Sequence, residues 1–125
     1  MDMLVFFQTV LPSDGVHFVC ELVLTPGRGR GHYFKQFPFT NLDEMVDCVQ
    51  QLNNQGKNIY FSCSTFKEII YKRRPGGYEY ASGRTIKNVR SQKALWLDID
   101  VGKKNDDGSL RAGCYASKQD AVRAL

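Results

Sequence analysis

One well-marked helix between extended segments constrains this chain more than any other feature. Leu42, Met45, Val46, Val49 and Leu52 fall at helical spacing, Thr40 or Asn41 followed by Asp43 and Glu44 gives a start signal, and Gly56 gives a stop. On either side the pattern is that of strands. Val16 to Leu24 is rich in Val, Phe and Leu, and Tyr33 to Phe39 is an extended aromatic run. Pro26 to Gly31 between them reads as a hairpin turn. Asn58 to Thr65 reads as a further strand. Hairpin, helix and strand in that order predict an α+β fold with an α/β layer.

The flanking segments carry weaker signals. Leu4 to Leu11 crowds apolar residues ahead of Pro12 and reads as a short opening helix in preference to a strand. Lys67 to Gly83 loses periodicity around Arg73-Arg74-Pro75-Gly76-Gly77 and reads as an exposed, mobile loop. Arg84 to Lys93 reads as a short helix leading into a strand at Leu95. Lys103 to Gly113 reads as a polar loop turning at Asn105-Asp106-Asp107-Gly108, and Ser117 then caps a helix holding Ala121, Val122 and Leu125. No Gly or polar tail closes that helix, which predicts a fragment of something longer.

The 125 residues suffice for one modest domain, and 42% hydrophobic with 24% charged residues excludes wholesale disorder. No apolar run approaches the roughly 20 residues of a membrane-spanning helix. Met1-Asp2-Met3-Leu4 lacks the basic start of a signal peptide. A soluble protein of the cytoplasm with no membrane partner is the expectation. Cys20, Cys48, Cys63 and Cys114 form no C-x-x-C pair, so reduced and mostly buried thiols are expected in place of a zinc site.

The chemistry concentrates in Leu95-Trp96-Leu97-Asp98-Ile99-Asp100-Val101-Gly102. If this is a strand, Leu95, Leu97, Ile99 and Val101 face one way while Trp96, Asp98 and Asp100 face the other. Two carboxylates held so close repel each other. They fit a strand end whose acids face water, a site that gains cationic partners, or a divalent-metal site. From Lys67 to Lys93, eight basic residues stand against Glu68 and Glu79, a local charge of +6 that exceeds the +4 of the whole chain. Interleaved with Tyr71, Tyr78 and Tyr80, these cations fit either a solvated loop or a surface for phosphates and stacked bases. As a helix, Arg84, Lys87 and Arg90 would share one side.

Other patterns lead nowhere. Gly27, Gly29 and Gly31 lie between strands with no following Lys-Ser or Lys-Thr, and so read as a turn and not a phosphate loop. Lys103 stands where a calcium loop needs its first acid. His17 and His32 read as partly buried, hydrogen-bonded hairpin residues. Ser62 and Ser64 flank Cys63 without the setting of an activated nucleophile, so hydrolase chemistry has no support.

Taken in order, Leu11-Pro12-Ser13-Asp14-Gly15, the aromatic strand, the 42–52 helix, Asn58-Ile59-Tyr60-Phe61, Lys87-Asn88-Val89, Ala94 to Gly102 and Tyr115-Ala116-Ser117 resemble the N-terminal part of phage and plasmid primase-polymerases of the archaeo-eukaryotic primase superfamily. Only the Leu-Trp-Leu-Asp-Ile-Asp-Val-Gly stretch is specific. The resemblance implies an N-terminal α/β unit over residues 1–94, with 95–125 starting a catalytic half that resembles an RNA-recognition fold. It further implies Asp98 and Asp100 as ligands of Mg²⁺ or Mn²⁺ for template-directed nucleotidyl transfer, with single-stranded DNA template and nucleoside triphosphates as partners. Arg73, Arg74, Arg84, Lys87, Arg90 and Lys103 are then candidates for nucleotide phosphate or template backbone. The family's second motif, Ser-x-His, and its third, acidic motif both follow the first, yet no His follows Asp100 here. Ser13 to His17 looks like the second motif only superficially, because it precedes the paired acids. Little or no primase activity is therefore expected of the 125 residues alone, and open sheet edges would be completed by the rest of a primase or by another protein. The competing expectation is a mobile-element protein on a primase-like scaffold that binds nucleic acid or a host protein without catalysis.

Overall fold

In the computed structural model, which describes residues 2–24, 32–96 and 100–124, the first helix begins where Asp2 can cap it. The Asp2 carboxylate accepts from the N–H groups of Leu4 and Val5 at 2.8 and 3.3 Å, opening α1, Met3–Val10. The chain divides into two compact units, Met1–Leu95 and Trp96–Leu125.

The first unit is built on a three-stranded antiparallel sheet. Strands β1 (His17–Val23), β2 (Tyr33–Phe39) and β3 (Ile59–Phe61) lie in the order β2-β1-β3. Helix α2, Leu42–Asn54, is capped by Asn41, whose side-chain oxygen accepts from Asp43 and Glu44. Central β1 is buried on both faces, because alternation sends its residues to two separate cores. Val19 joins Phe7 and Leu11 from the first helix and its C-terminal end, and Met45 and Leu52 from α2, with Phe37, Phe39, Ile59 and Phe61 packed around them. Phe18 and Cys20 point the other way and meet Val16 and Phe66, backed by Ile69 and Val89. The fold is α+β, with all strand pairs of this unit antiparallel.

Three expectations for this unit need correction. The 58–65 strand is two strands, β3 and β4 (Thr65–Phe66), because the chain leaves the main sheet after Ser62 so that Phe66 can bridge to Val16. The 67–83 segment is ordered as a hairpin, β5 (Ile70–Arg73) and β6 (Glu79–Ser82), with Lys72 opposite Tyr80 and Arg73 opposite Glu79. Pro75-Gly76-Gly77 is its turn, closed by the Arg74 N–H donating to the Tyr78 carbonyl at 2.8 Å. The 84–93 segment is not an amphipathic helix. It makes one 3₁₀ turn, Ile86–Asn88, with Ile86 93% exposed, and continues as β7, Val89–Ser91, paired to β4. Asn88 explains the break. Its buried amide donates to the carbonyls of Glu68 and Gly83, both at 2.8 Å, and so ties this turn to the two feet of the β5–β6 hairpin.

The second unit differs from the expected strand start. Leu95, the last residue of the first unit, is 85% exposed, and neither it nor Trp96 lies in a strand. Leu97, Asp98 and Ile99 lie outside the described residues, as do Gly27, Gly29, Gly31 and Leu125. Beyond them, Val101 makes a parallel bridge to Tyr115, and Lys104 bridges Leu110 across the polar turn. A strand needs a neighbour to satisfy its backbone, and along 95–101 this single bridge is the only ladder among the described residues. Ser117 caps α3, Lys118–Arg123, as expected.

Candidate functional site

The carboxylate motif reaches the described structure through Asp100. The Asp100 carbonyl accepts from the Tyr115 N–H at 2.9 Å, and Gly102 donates to the Tyr115 carbonyl at 2.8 Å, so the bridge fixes the backbone beside the acid. The Asp100 side chain is half exposed and paired with Lys103. Such an oxygen donor has the chemistry of an Mg²⁺ or Mn²⁺ ligand, yet Lys103 occupies the carboxylate. Among the described residues no group of three or more His, Cys, Asp or Glu side chains could hold a metal ion. Asp98, the second expected ligand, lies outside them. The nearby Asp107 serves its own turn. Its carboxylate accepts from the Ser109 N–H at 2.9 Å and from the Ser109 hydroxyl at 2.5 Å, which holds it below the usual carboxylate range.

The five basic candidates of the first unit have different surroundings. Arg90 donates to Asp14 at 2.8 Å and holds that carboxyl below its usual range. Gly15 makes this approach possible: it sits at φ +88°, and a side-chain carbon there would lie 2.9 Å from Arg90 Cδ and 3.0 Å from the Phe66 carbonyl. Lys87 lies in the 3₁₀ turn, where its carbonyl accepts from Lys67 Nζ at 3.3 Å. Lys103 belongs to the second unit. Arg73 faces Glu79 across the hairpin.

Arg74 and Arg84 are placed differently, against aromatic rings. The Arg74 guanidinium lies 5.1 Å from the ring centres of both Tyr33 and Tyr80, between β2 and β6. Arg84 lies 5.1 Å over Phe34, and the Phe34 ring meets Tyr60 edge-on at 5.8 Å. Hairpin register sets Lys72 and Arg74 on the same face as Tyr78 and Tyr80. Tyr33, Phe34, Tyr78 and Tyr80 line one groove of about 480 Å³ together with Arg74. Sequence reasoning found the hairpin's cations and tyrosines but missed Tyr33, Phe34 and Tyr60. Their only signal was the aromatic richness of β2 and β3.

His17 corrects another expectation. It is fully buried, and neither ring nitrogen has a hydrogen-bond partner among the described residues. Burial pushes its pKa below 6.5, against the opposing pull of Asp14. A histidine so enclosed cannot reach a nucleotide phosphate. All four cysteines are free thiols, but only Cys20 is fully buried; the others are half-buried, because they sit on partly covered positions. Burial raises the thiol pKa of Cys20, Cys48 and Cys63, which disfavours thiolate chemistry there.

No family model, curated protein or solved structure matches this chain.

Proposed function

We propose that this chain is the N-terminal segment of a primase-polymerase, in which Asp98 and Asp100 hold Mg²⁺ or Mn²⁺ for template-directed nucleotidyl transfer. The observation that carries this reading is the Ala94 to Gly102 sequence, with its two carboxylates two positions apart. The half-exposed Asp100 carboxylate and the cationic surface of the first unit support it. When bound, the metal would supply charge neutralisation at the triphosphate and activation of the primer hydroxyl. The chain's own part is to hold it through hard oxygen ligands and to bring cations to phosphate. No His follows Asp100 in these 125 residues, so the Ser-x-His motif of that family has no match there.

Calorimetric titration with Mn²⁺ tests the reading. Binding in the millimolar range that is lost in Asp98→Asn and strengthened in Lys103→Ala is expected, because Lys103 competes for Asp100. Metal binding unaffected by either change would refute it. The Lys103 pair also favours a second reading, in which the scaffold binds nucleic acid or a host protein without catalysis and Lys103 replaces the metal. No Mn²⁺ binding, together with destabilisation in Lys103→Ala, would decide for that reading.

A further inference from the structure

The exposed aromatic residues of the first unit form a pattern that core packing does not explain. Tyr78 is 79% exposed, Tyr60 is 51% exposed and Phe34 is 44% exposed, although aromatic rings ordinarily contribute most when buried. Phe34 and Tyr60 project from the sheet face opposite the helices, since their ladder partners on β1 are Leu22 and Cys20. Tyr78 and Tyr80 project from one face of the β5–β6 hairpin beside Lys72 and Arg74. The two guanidinium groups lie over rings, each 5.1 Å from a ring centre.

We infer that this surface binds single-stranded nucleic acid, with Arg74, Arg84 and Lys72 meeting phosphates and the open faces of Tyr78, Phe34 and Tyr60 stacking bases. Three observations on this surface point to that occupant. Lys72, Arg74 and Arg84 lie among these rings and suit an anionic partner. The exposed aromatic rings suit a planar partner such as a nucleobase. The groove along β2 and the hairpin holds about 480 Å³, room for an unstacked base. The inference rests on the primase-polymerase reading only in naming the strand a template. Binding itself uses none of the carboxylates.

A fluorescently labelled oligothymidylate of about fifteen nucleotides, titrated in EDTA and read by anisotropy, tests this with the whole 125-residue chain. Affinity is expected to fall steeply with salt and to exceed that for an abasic oligomer of equal length by roughly tenfold. Tyr78→Ala, at a solvent-exposed turn position, should weaken binding by about tenfold while leaving the circular dichroism unchanged. Arg74→Ala should reduce the salt dependence, whereas Lys118→Ala in α3 should do neither. Equal affinity for the abasic oligomer, an unaffected Tyr78→Ala variant or no binding at low salt would each overturn the inference. EDTA removes the metal from the measurement, so a failed Mn²⁺ titration leaves this result intact and the converse also holds.

Discussion

Asn88 is the residue on which the candidate nucleic-acid surface depends most. Its amide holds Glu68 and Gly83, the residues just outside β5 and β6, and its own carbonyl accepts from the Lys67 N–H. Asn88→Ala leaves two carbonyls without that donor, and we expect a loss of about 1–3 kcal/mol in urea unfolding. Gly83 sits against the same amide at φ +137°, where an added side-chain carbon would lie 3.0 Å from Asn88 Nδ2 and 3.2 Å from the Phe18 ring. His17 predicts a pH effect. Because burial lowers its pKa in the folded state, the unfolded chain binds the extra proton first. Stability attributable to His17 is therefore fully present above about pH 6.5 and declines as pH falls from there towards the lowered folded value. Thermal melts of wild type and His17→Phe between pH 5 and 7.5 should show the decline in wild type only.

Among the elements, α2 is the one whose sequence and structure agree most closely. Its apolar spacing, its Asn41 cap and its acidic first turn are all local signals, and each is seen in place. Asn41→Ala should cost about 1 kcal/mol, measured by denaturant unfolding, as the Asp43 and Glu44 N–H groups lose their acceptor. The β5–β6 hairpin shows the opposite case. Its strands are short and mostly exposed, so no apolar alternation announces them. What orders the hairpin is remote: Tyr33 on β2 stacks on Arg74, and Asn88 ties its feet. Removing the cation in Arg74→Ala should therefore raise amide exchange at Tyr80 and Ala81 while leaving α2 protected.

For the molecule as a whole, β1 is the strand that makes the first unit one body. Phe18 packs edge-on to Phe66 at 5.4 Å in the second core, while its neighbour Val19 fills the first. Phe18→Ala should cost about 3–5 kcal/mol in urea unfolding, because the ring is fully buried in the second core. From sequence alone, the helix caps, the β1–β2 hairpin, the absence of a membrane-length apolar helix among the described residues and the paired acids at Asp98 and Asp100 were legible, because each depends on residues near in the chain. The two-sided burial of His17, the capture of Arg90 by Asp14, the pairing of Lys103 with Asp100 and the meeting of Tyr33 with Arg74 were decided by the tertiary structure. Except for Asp100 and Lys103, three positions apart, these are long-range effects. Local periodicity records which face a residue takes, but not which distant side chain comes to lie against it, and charge partners follow from that packing.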